Sequence, residues 1–196
     1  MKTAPDIRRS VTQINTFYDS KTGDLRRGGW ALRIRKENDR YIITVKGKST
    51  KKNNGVFVRQ EFEETMPGDT ACSLEHGFRL GPETPLPARK LYTRIGDIRV
   101  APFIKFTNSR TFISALGYIL ELDRTEILDR IFYELELEVP LEEIPTAQKK
   151  LMIWFDKSGW EYIPSRISKL EKALILMSEK KTANRYPTDS NSVPQS

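Results

Sequence analysis

A chain of 196 residues that is 38% hydrophobic and 30% charged can bury one sizeable core in water. Its apolar runs fall far short of the roughly 18 residues that a membrane-spanning helix needs, and MKTAPDIRRS at the N-terminus lacks the apolar core of a signal peptide. One cysteine, Cys72, excludes an internal disulfide and suits a reducing compartment, so a cytoplasmic location is expected; the net charge of +7 favours polyanionic partners.

Residues 1–10 show no periodicity and are expected to be loose. Strand character begins at Gln13–Asp19 and stops at the turn signal KTGD. Trp30–Lys36 alternates, with Trp30, Leu32 and Ile34 on one face and Arg33 and Arg35 on the other. After a turn, Tyr41, Ile43 and Val45 oppose Ile42, Thr44 and Lys46, which predicts a hairpin. The loop KGKSTKKNNG superficially resembles a phosphate-binding loop. Ile42 stands where that motif needs its first glycine, and Asn53, Asn54 and Gly55 follow where it needs a helix, so the P-loop is excluded.

Val56–Glu63 predicts one strand, with Arg59, Glu61 and Glu63 opposite Val58 and Phe62. Residues 66–90 are rich in Pro and Gly and carry only short apolar runs; Cys72 and His76 lie four apart there, without further ligands to complete a zinc site. Strands return at Ile98–Thr107, Arg110–Ile113 and Tyr118–Asp123, where Lys105 and Thr107 share a face, as do Glu121 and Asp123. In Ile131–Val139, Ile131, Tyr133, Leu135, Leu137 and Val139 oppose Phe132, Glu134, Glu136 and Glu138. If those carboxylates look inward, they need a cation or basic neighbours. Helices close the chain: one carries Ala147, Leu151, Trp154 and Phe155 and stops at Gly159, and another opens at the capping-box pair Ser168 and Glu171. Residues 11–180 read as one α+β domain of mainly antiparallel strands, and 181–196 as a disordered tail.

Basic and acidic side chains thus share strand faces. Alternation alone does not separate a wet outer face from a polar interior. In an interior, guanidinium and ammonium groups bind phosphoryl oxygens, and carboxylates without His or Cys select Mg²⁺ or Mn²⁺. A phosphoanhydride would use both.

Phe17-Tyr18-Asp19, Leu25-Arg26, Ala31-Leu32-Arg33-Ile34-Arg35, Thr44-Val45-Lys46-Gly47, Arg59-Gln60-Glu61-Phe62-Glu63, Tyr133-Glu134-Leu135-Glu136-Leu137-Glu138 and Ser168-Lys169-Leu170-Glu171 resemble, in order, the motifs of the CYTH family, the triphosphate tunnel metalloenzymes. The resemblance covers roughly residues 14–176. It implies an eight-stranded antiparallel β-tunnel, a barrel with helices packed outside. It also implies that Arg33, Arg35, Lys46, Arg110 and Lys169 grip phosphates, and that Glu134, Glu136 and Asp123 hold Mg²⁺ or Mn²⁺. Glu134, Glu136 and Lys169 would carry catalysis, and Arg59, Glu61, Glu63 and Lys105 would line the tunnel. Family members hydrolyse inorganic triphosphate, thiamine triphosphate or nucleoside and RNA triphosphates, and some cyclise ATP. One departure is plain: the family's opening Glu-x-Glu-x-Lys strand has no counterpart, since no glutamate precedes Glu37. Without that strand, a tunnel edge is unpaired and the metal site loses acidic groups.

The expected function is therefore a divalent-metal-dependent triphosphatase. Two alternatives are a catalytically silent triphosphate- or polyphosphate-binding protein and a nucleic-acid-binding protein using Lys48, Lys51 and Lys52.

Overall fold

The structure is a computed structural model that describes residues 6–48, 50–52 and 55–185. The chain divides into two compact units, residues 1–165 and 166–196. The first holds ten strands: β1 (Asp6–Asp19), β2 (Ala31–Glu37), β3 (Arg40–Lys46), β4 (Thr50–Lys52), β5 (Val56–Val58), β6 (Glu61–Met66), β7 (Phe78–Arg79), β8 (Arg99–Ala115), β9 (Tyr118–Ile127) and β10 (Arg130–Glu136). Its helices are α1 (Asp24–Arg27), α2 (Gly68–Leu74), α3 (Leu86–Ile95) and α4 (Ile144–Ser158). The second unit contains α5 (Lys169–Arg185), opened by the expected capping box: the Ser168 backbone N–H donates to Glu171 at 2.7 Å, and the Glu171 N–H to the Ser168 hydroxyl at 3.3 Å. No described helix is long and apolar enough to cross a membrane.

One antiparallel sheet runs β10-β9-β8-β1-β2-β3-β6, with β7 on β8, and β4 and β5 form a separate hairpin. The sheet does not close by strand pairing; β6 and β10 are its edges. Pro164 and Ser165 lie against the β10 edge and the β4–β5 hairpin. Ser165 donates to Glu134 on β10 at 3.0 Å, and a Cβ on Gly55, beside β5, would meet Pro164 at 3.1 Å. Edge-to-face contacts among Trp154, Phe155, Trp160 and Tyr162 tie this returning segment to α4.

Several boundaries differ from expectation, each for a tertiary reason. Asp6–Ser10, expected to be loose, belong to β1 because β8 supplies their ladder partners, with Ile7 opposite Ile113 and Ser10 opposite Thr111. Val56–Glu63 is two strands: Arg59 and Gln60 break it, β5 pairing with β4 and β6 with β3. Residues 66–90, to which the sequence assigned no element, hold α2 and the start of α3. Pro85 precedes α3 and Pro87 lies in its first turn, where a missing N–H costs nothing, while Ala88 and Leu91 are buried beneath. Residues 181–185 continue α5, and 186–196 of the expected tail lie outside the described residues.

The apolar core lies on one side of β2 and β3. Leu32, Ile34, Ile43 and Val45 pack there with Ala71 of α2, Ala88 and Leu91 of α3, and Leu25, Leu80 and Val100. Trp30 packs against this cluster on the face of Leu32 and Ile34, and the Arg94 guanidinium lies 5.0 Å from its ring centroid. Asp19 closes the turn after β1. Its carboxylate, 1% exposed, accepts the Ser20 and Leu25 N–H groups at 2.8 and 2.9 Å and Arg26 Nε at 2.7 Å. The Tyr18-Asp19 and Leu25-Arg26 motifs are therefore joined through one buried carboxylate. Asp19→Ala, which orphans a buried N–H, is expected to lower the unfolding free energy by about 3 kcal/mol, read by urea denaturation.

Candidate active site

The face of the sheet turned away from that core carries the charges, and strand register determines which meet. Arg33 lies opposite Thr44, and Thr44 opposite Glu63; Lys46 lies opposite Glu61. Toward the other edge, Arg110 lies opposite Asp123 and Asp123 opposite Glu134, while Glu121 lies opposite Glu136. β1 runs between these groups, presenting Val11, Gln13, Asn15 and Phe17. Because side chains alternate and the strands are in register, one inner face collects Arg33, Arg35, Lys46, Glu61 and Glu63 at one side and Arg110, Glu121, Asp123, Glu134 and Glu136 at the other.

The basic side is strongly desolvated. Arg33 is 6% exposed; its Nη2 donates to the Thr44 hydroxyl at 3.0 Å, and that hydroxyl donates to Glu63 at 3.2 Å. Arg33 Nε is buried without a hydrogen-bond partner. Arg35 Nε donates to Asn15 Oδ1 at 3.1 Å. Lys46 pairs with Glu61 at 2.8 Å, and Arg59 lies 3.8 Å from the same carboxylate. Burial, followed by repulsion from Arg35, pushes Arg33 below its ordinary pKa; burial and Arg110 do the same to Arg35. Burial, with Arg33 and Arg59 adding to it, pushes Lys46 down to about 8. The side chains carry more positive charge than Glu61 and Glu63 offset. Phe17 and Phe106, stacked at 5.5 Å and nearly inaccessible, form an apolar floor beside them.

The acidic side is organised by Arg110. Its Nε and Nη2 grip Asp123 at 2.8 and 2.7 Å, Nη2 also reaches Glu136 at 2.8 Å, and Nη1 contacts Glu121. Burial opposes its charge, but Asp123, Glu121 and Glu136 outweigh that and raise its pKa. One guanidinium does not neutralise the set: burial, with Glu138, Glu136 and Asp123, pushes Glu121 up to about 7. The carboxylates of β10 thus look inward, while Ile131 and Tyr133, on its apolar face, are 47% and 69% exposed. The all-oxygen donor set of Glu121, Asp123, Glu134 and Glu136 suits a hard divalent cation. Among the described residues, no three His, Cys, Asp or Glu side chains are gathered as a metal site.

Of the residues expected from the sequence, the inner face brings together Arg33, Arg35, Lys46, Arg110, Asp123, Glu134, Glu136, Glu61 and Glu63, with Arg59 at its rim. Lys105 is a correction. It stands opposite Thr16, which stands opposite Ile34, so it lies on the other face and is exposed. The inner positions around it on β8 are Ile104 and Phe106, and the strand's polar inner residues begin only at Asn108. Arg110, expected on phosphate, is engaged by carboxylates. Lys169 opens α5 in the second unit, and its part in a site rests on the resemblance alone. The side chains of Lys51 and Lys52 lie outside the described residues; Lys48 is exposed. Gln13, Asn15, Thr44, Asn108, Glu121 and Thr125 were not among the expected site residues. Cross-strand register is what reveals them.

A CYTH domain model matches residues 8–161. The chain belongs to the CYTH domain family. CYTH proteins include triphosphatases and cyclases, bind triphosphates and use divalent metal ions. Among solved structures, HpAC1 from Hippeastrum, a candidate adenylyl cyclase described as having a dominant triphosphatase activity, superposes with a TM-score of 0.73 at 25% identity, covering 86% of this chain and 84% of that one. A candidate adenylate cyclase from Bacillus halodurans gives 0.65 at 20% identity over 83% and 82% of the two chains, a likeness of fold alone. A Pyrococcus horikoshii protein gives 0.56 at 25% identity over 89% and 88%. Among curated proteins, none matches. The mainly antiparallel CYTH architecture expected from the motifs is the one observed.

The folded pKa of Lys46, about 8, lies below the 10.5 of an unperturbed lysine. Below pH 8 the ammonium is charged in both folded and unfolded chains, and the folded state bears its desolvation in full. As pH rises from about 8 to 10.5, the native lysine releases its proton first, and stability rises. Lys46→Met should therefore be more stable than the parent at pH 7, by about 2 kcal/mol. Urea titrations should show that advantage shrinking toward pH 10.

Proposed function

We propose that this CYTH domain binds a triphosphate on the basic side of the inner face and hydrolyses its terminal phosphoanhydride with a divalent cation held by the acidic side. The observation that carries this reading is the shared face itself: Arg33, Arg35 and Lys46 from adjacent strands, short of counter-charge, look into the same interior as four carboxylates on β9 and β10. The dominant triphosphatase activity described for HpAC1 supports it.

In this mechanism, Arg33 and Arg35 donate to phosphoryl oxygens and Lys46 adds a point charge, so the charge spread over the equatorial oxygens at the transition state meets preorganised donors. The apolar floor of Phe17 and Phe106 keeps those interactions in a poorly screened setting. A water oxygen bonds to the terminal phosphorus as the bridging P–O bond breaks, releasing orthophosphate. Glu134, Glu136, Asp123 and Glu121 would hold Mg²⁺ or Mn²⁺, which supplies charge neutralisation and Lewis-acid activation when bound.

The grip of Arg110 on three carboxylates favours a second reading, a metal-independent polyphosphate binder in which those groups are spent on an internal ion pair. Phosphate release from tripolyphosphate, thiamine triphosphate and ATP, each with Mg²⁺, Mn²⁺ or chelator, separates the two, and cyclic AMP formation from ATP reports any cyclase activity. We expect metal-dependent release that Glu136→Gln abolishes. Tight binding without release, indifferent to metal, would establish the binder instead.

Arg35→Ala should weaken tripolyphosphate binding by about 100-fold, the loss of one charge-assisted contact. Lys105→Ala, on the outer face, should leave it unchanged. Calorimetric titration of both variants tests whether the face was assigned correctly.

A further inference from the structure

Two neutral side chains touch the arginines of the basic side. Asn15, 2% exposed on β1, takes the Nε hydrogen of Arg35 at 3.1 Å. Thr44, fully buried on β3, accepts from Arg33 Nη2 at 3.0 Å and directs its one hydroxyl hydrogen to Glu63 at 3.2 Å, standing between that arginine and a carboxylate that lies 3.8 Å from the same Nη2. Each partner sits directly opposite its arginine in the ladder, Asn15 opposite Arg35 and Thr44 opposite Arg33, so backbone register fixes both pairs. The two arginines lie on one strand, yet they are held from opposite flanks and through different nitrogens.

The distribution of donors follows. A guanidinium has five N–H groups in a rigid fork. Asn15 consumes Nε of Arg35 and leaves both Nη groups, the end-on edge of the fork. Thr44 consumes a hydrogen of Arg33 Nη2 and leaves Nε, buried and without a partner, along with Nη1. The arginines thus present different edges. A carboxylate at position 15 or 44 would make a charge-paired bond instead and cancel the charge a phosphate needs; a neutral acceptor orients the fork and leaves it cationic.

We infer that Asn15 and Thr44 are positioning residues, which orient Arg35 and Arg33 without neutralising them and so determine which guanidinium edges face the triphosphate. The inference rests on the triphosphate-binding reading above.

The test uses the full chain and inorganic tripolyphosphate in chelator, titrated calorimetrically. Asn15→Leu and Thr44→Val should each weaken binding about tenfold, and Thr44→Ser, which keeps the hydroxyl, should restore it. In an Arg35→Ala background, Asn15→Leu should cost nothing further, because its effect runs through that arginine. An additive loss would overturn the inference, as would variants that bind like the parent. If the parent itself fails to bind tripolyphosphate, the proposed function falls and the inference with it.

A measurement on the unaltered protein guards against variants that fold poorly. In ¹⁵N spectra, the Arg35 Nε hydrogen should exchange slowly before and after ligand, whereas the Arg33 Nε resonance should shift on adding tripolyphosphate. An Arg35 Nε hydrogen that exchanges as fast as that of an exposed arginine would refute the positioning of Arg35 whatever the ligand does.

Discussion

Charge buried on one sheet face is the constraint on which the rest of this structure depends. Arg33, Arg110 and Asp123 are all more than nine-tenths buried, and each would be prohibitively costly if isolated. Two different arrangements make them tolerable. Around Arg110 the solution is direct pairing: a bidentate bond to Asp123 and contacts to Glu121 and Glu136 gather strands β8, β9 and β10 about one cation. Around Arg33 and Arg35 the direct hydrogen bonds go to neutral side chains, with Glu63 a looser partner 3.8 Å from Arg33 Nη2, which leaves much of the charge in place.

What keeps the second arrangement from collapsing into the first is the strand between them. Between the charged groups β1 presents Val11, Gln13, Asn15 and Phe17, all uncharged, and Gln13 joins a hydrogen-bond chain across four strands. Thr125 donates to Asn108 at 2.7 Å, Asn108 to Gln13 at 3.1 Å, and Gln13 to Glu37 at 2.9 Å. Thr125, Asn108 and Gln13 are buried and each has a partner, and the chain ends on the half-buried Glu37, so it adds order without an orphaned donor. The separation of a cationic half from an anionic half is thus built from amides and a hydroxyl.

Much of this was legible in the sequence because period-two alternation is local. The two faces of β2 and β3 follow from Trp30–Lys46 alone, and the shared face of the β10 carboxylates from Ile131–Val139, although only the structure shows that this face looks inward and the apolar one is exposed. Three kinds of fact were not local. Lys105 was misplaced because alternation gives two faces and only pairing with Thr16 says which is inner. Helix α3 was not assigned because its stretch is rich in Pro and Gly with only short apolar runs, although the first turn of a helix is where prolines fit. Asn15, Thr44 and Gln13 carry no chemical signature of their own; they matter through what stands opposite them, and register is invisible in one strand.

The cost of the basic side indicates what it is for. Stability would be better served by replacing Arg33 or Lys46 with an apolar residue, because each is pushed toward its uncharged form by burial. A fold that retains both, over an apolar floor that withholds solvent, keeps a positive potential that its own carboxylates do not satisfy. A bound polyanion would relieve that potential and bring the lysine back toward its ordinary, higher pKa, so part of the binding free energy is the strain already present in the unliganded face. The same logic applies with opposite sign on β9 and β10, where burial first, and then the neighbouring Glu138, Glu136 and Asp123, push Glu121 up. The two halves are complementary to each other and are kept apart, and the proposed function has each satisfied by a ligand of the other sign, a phosphate chain at one side and a hard cation at the other.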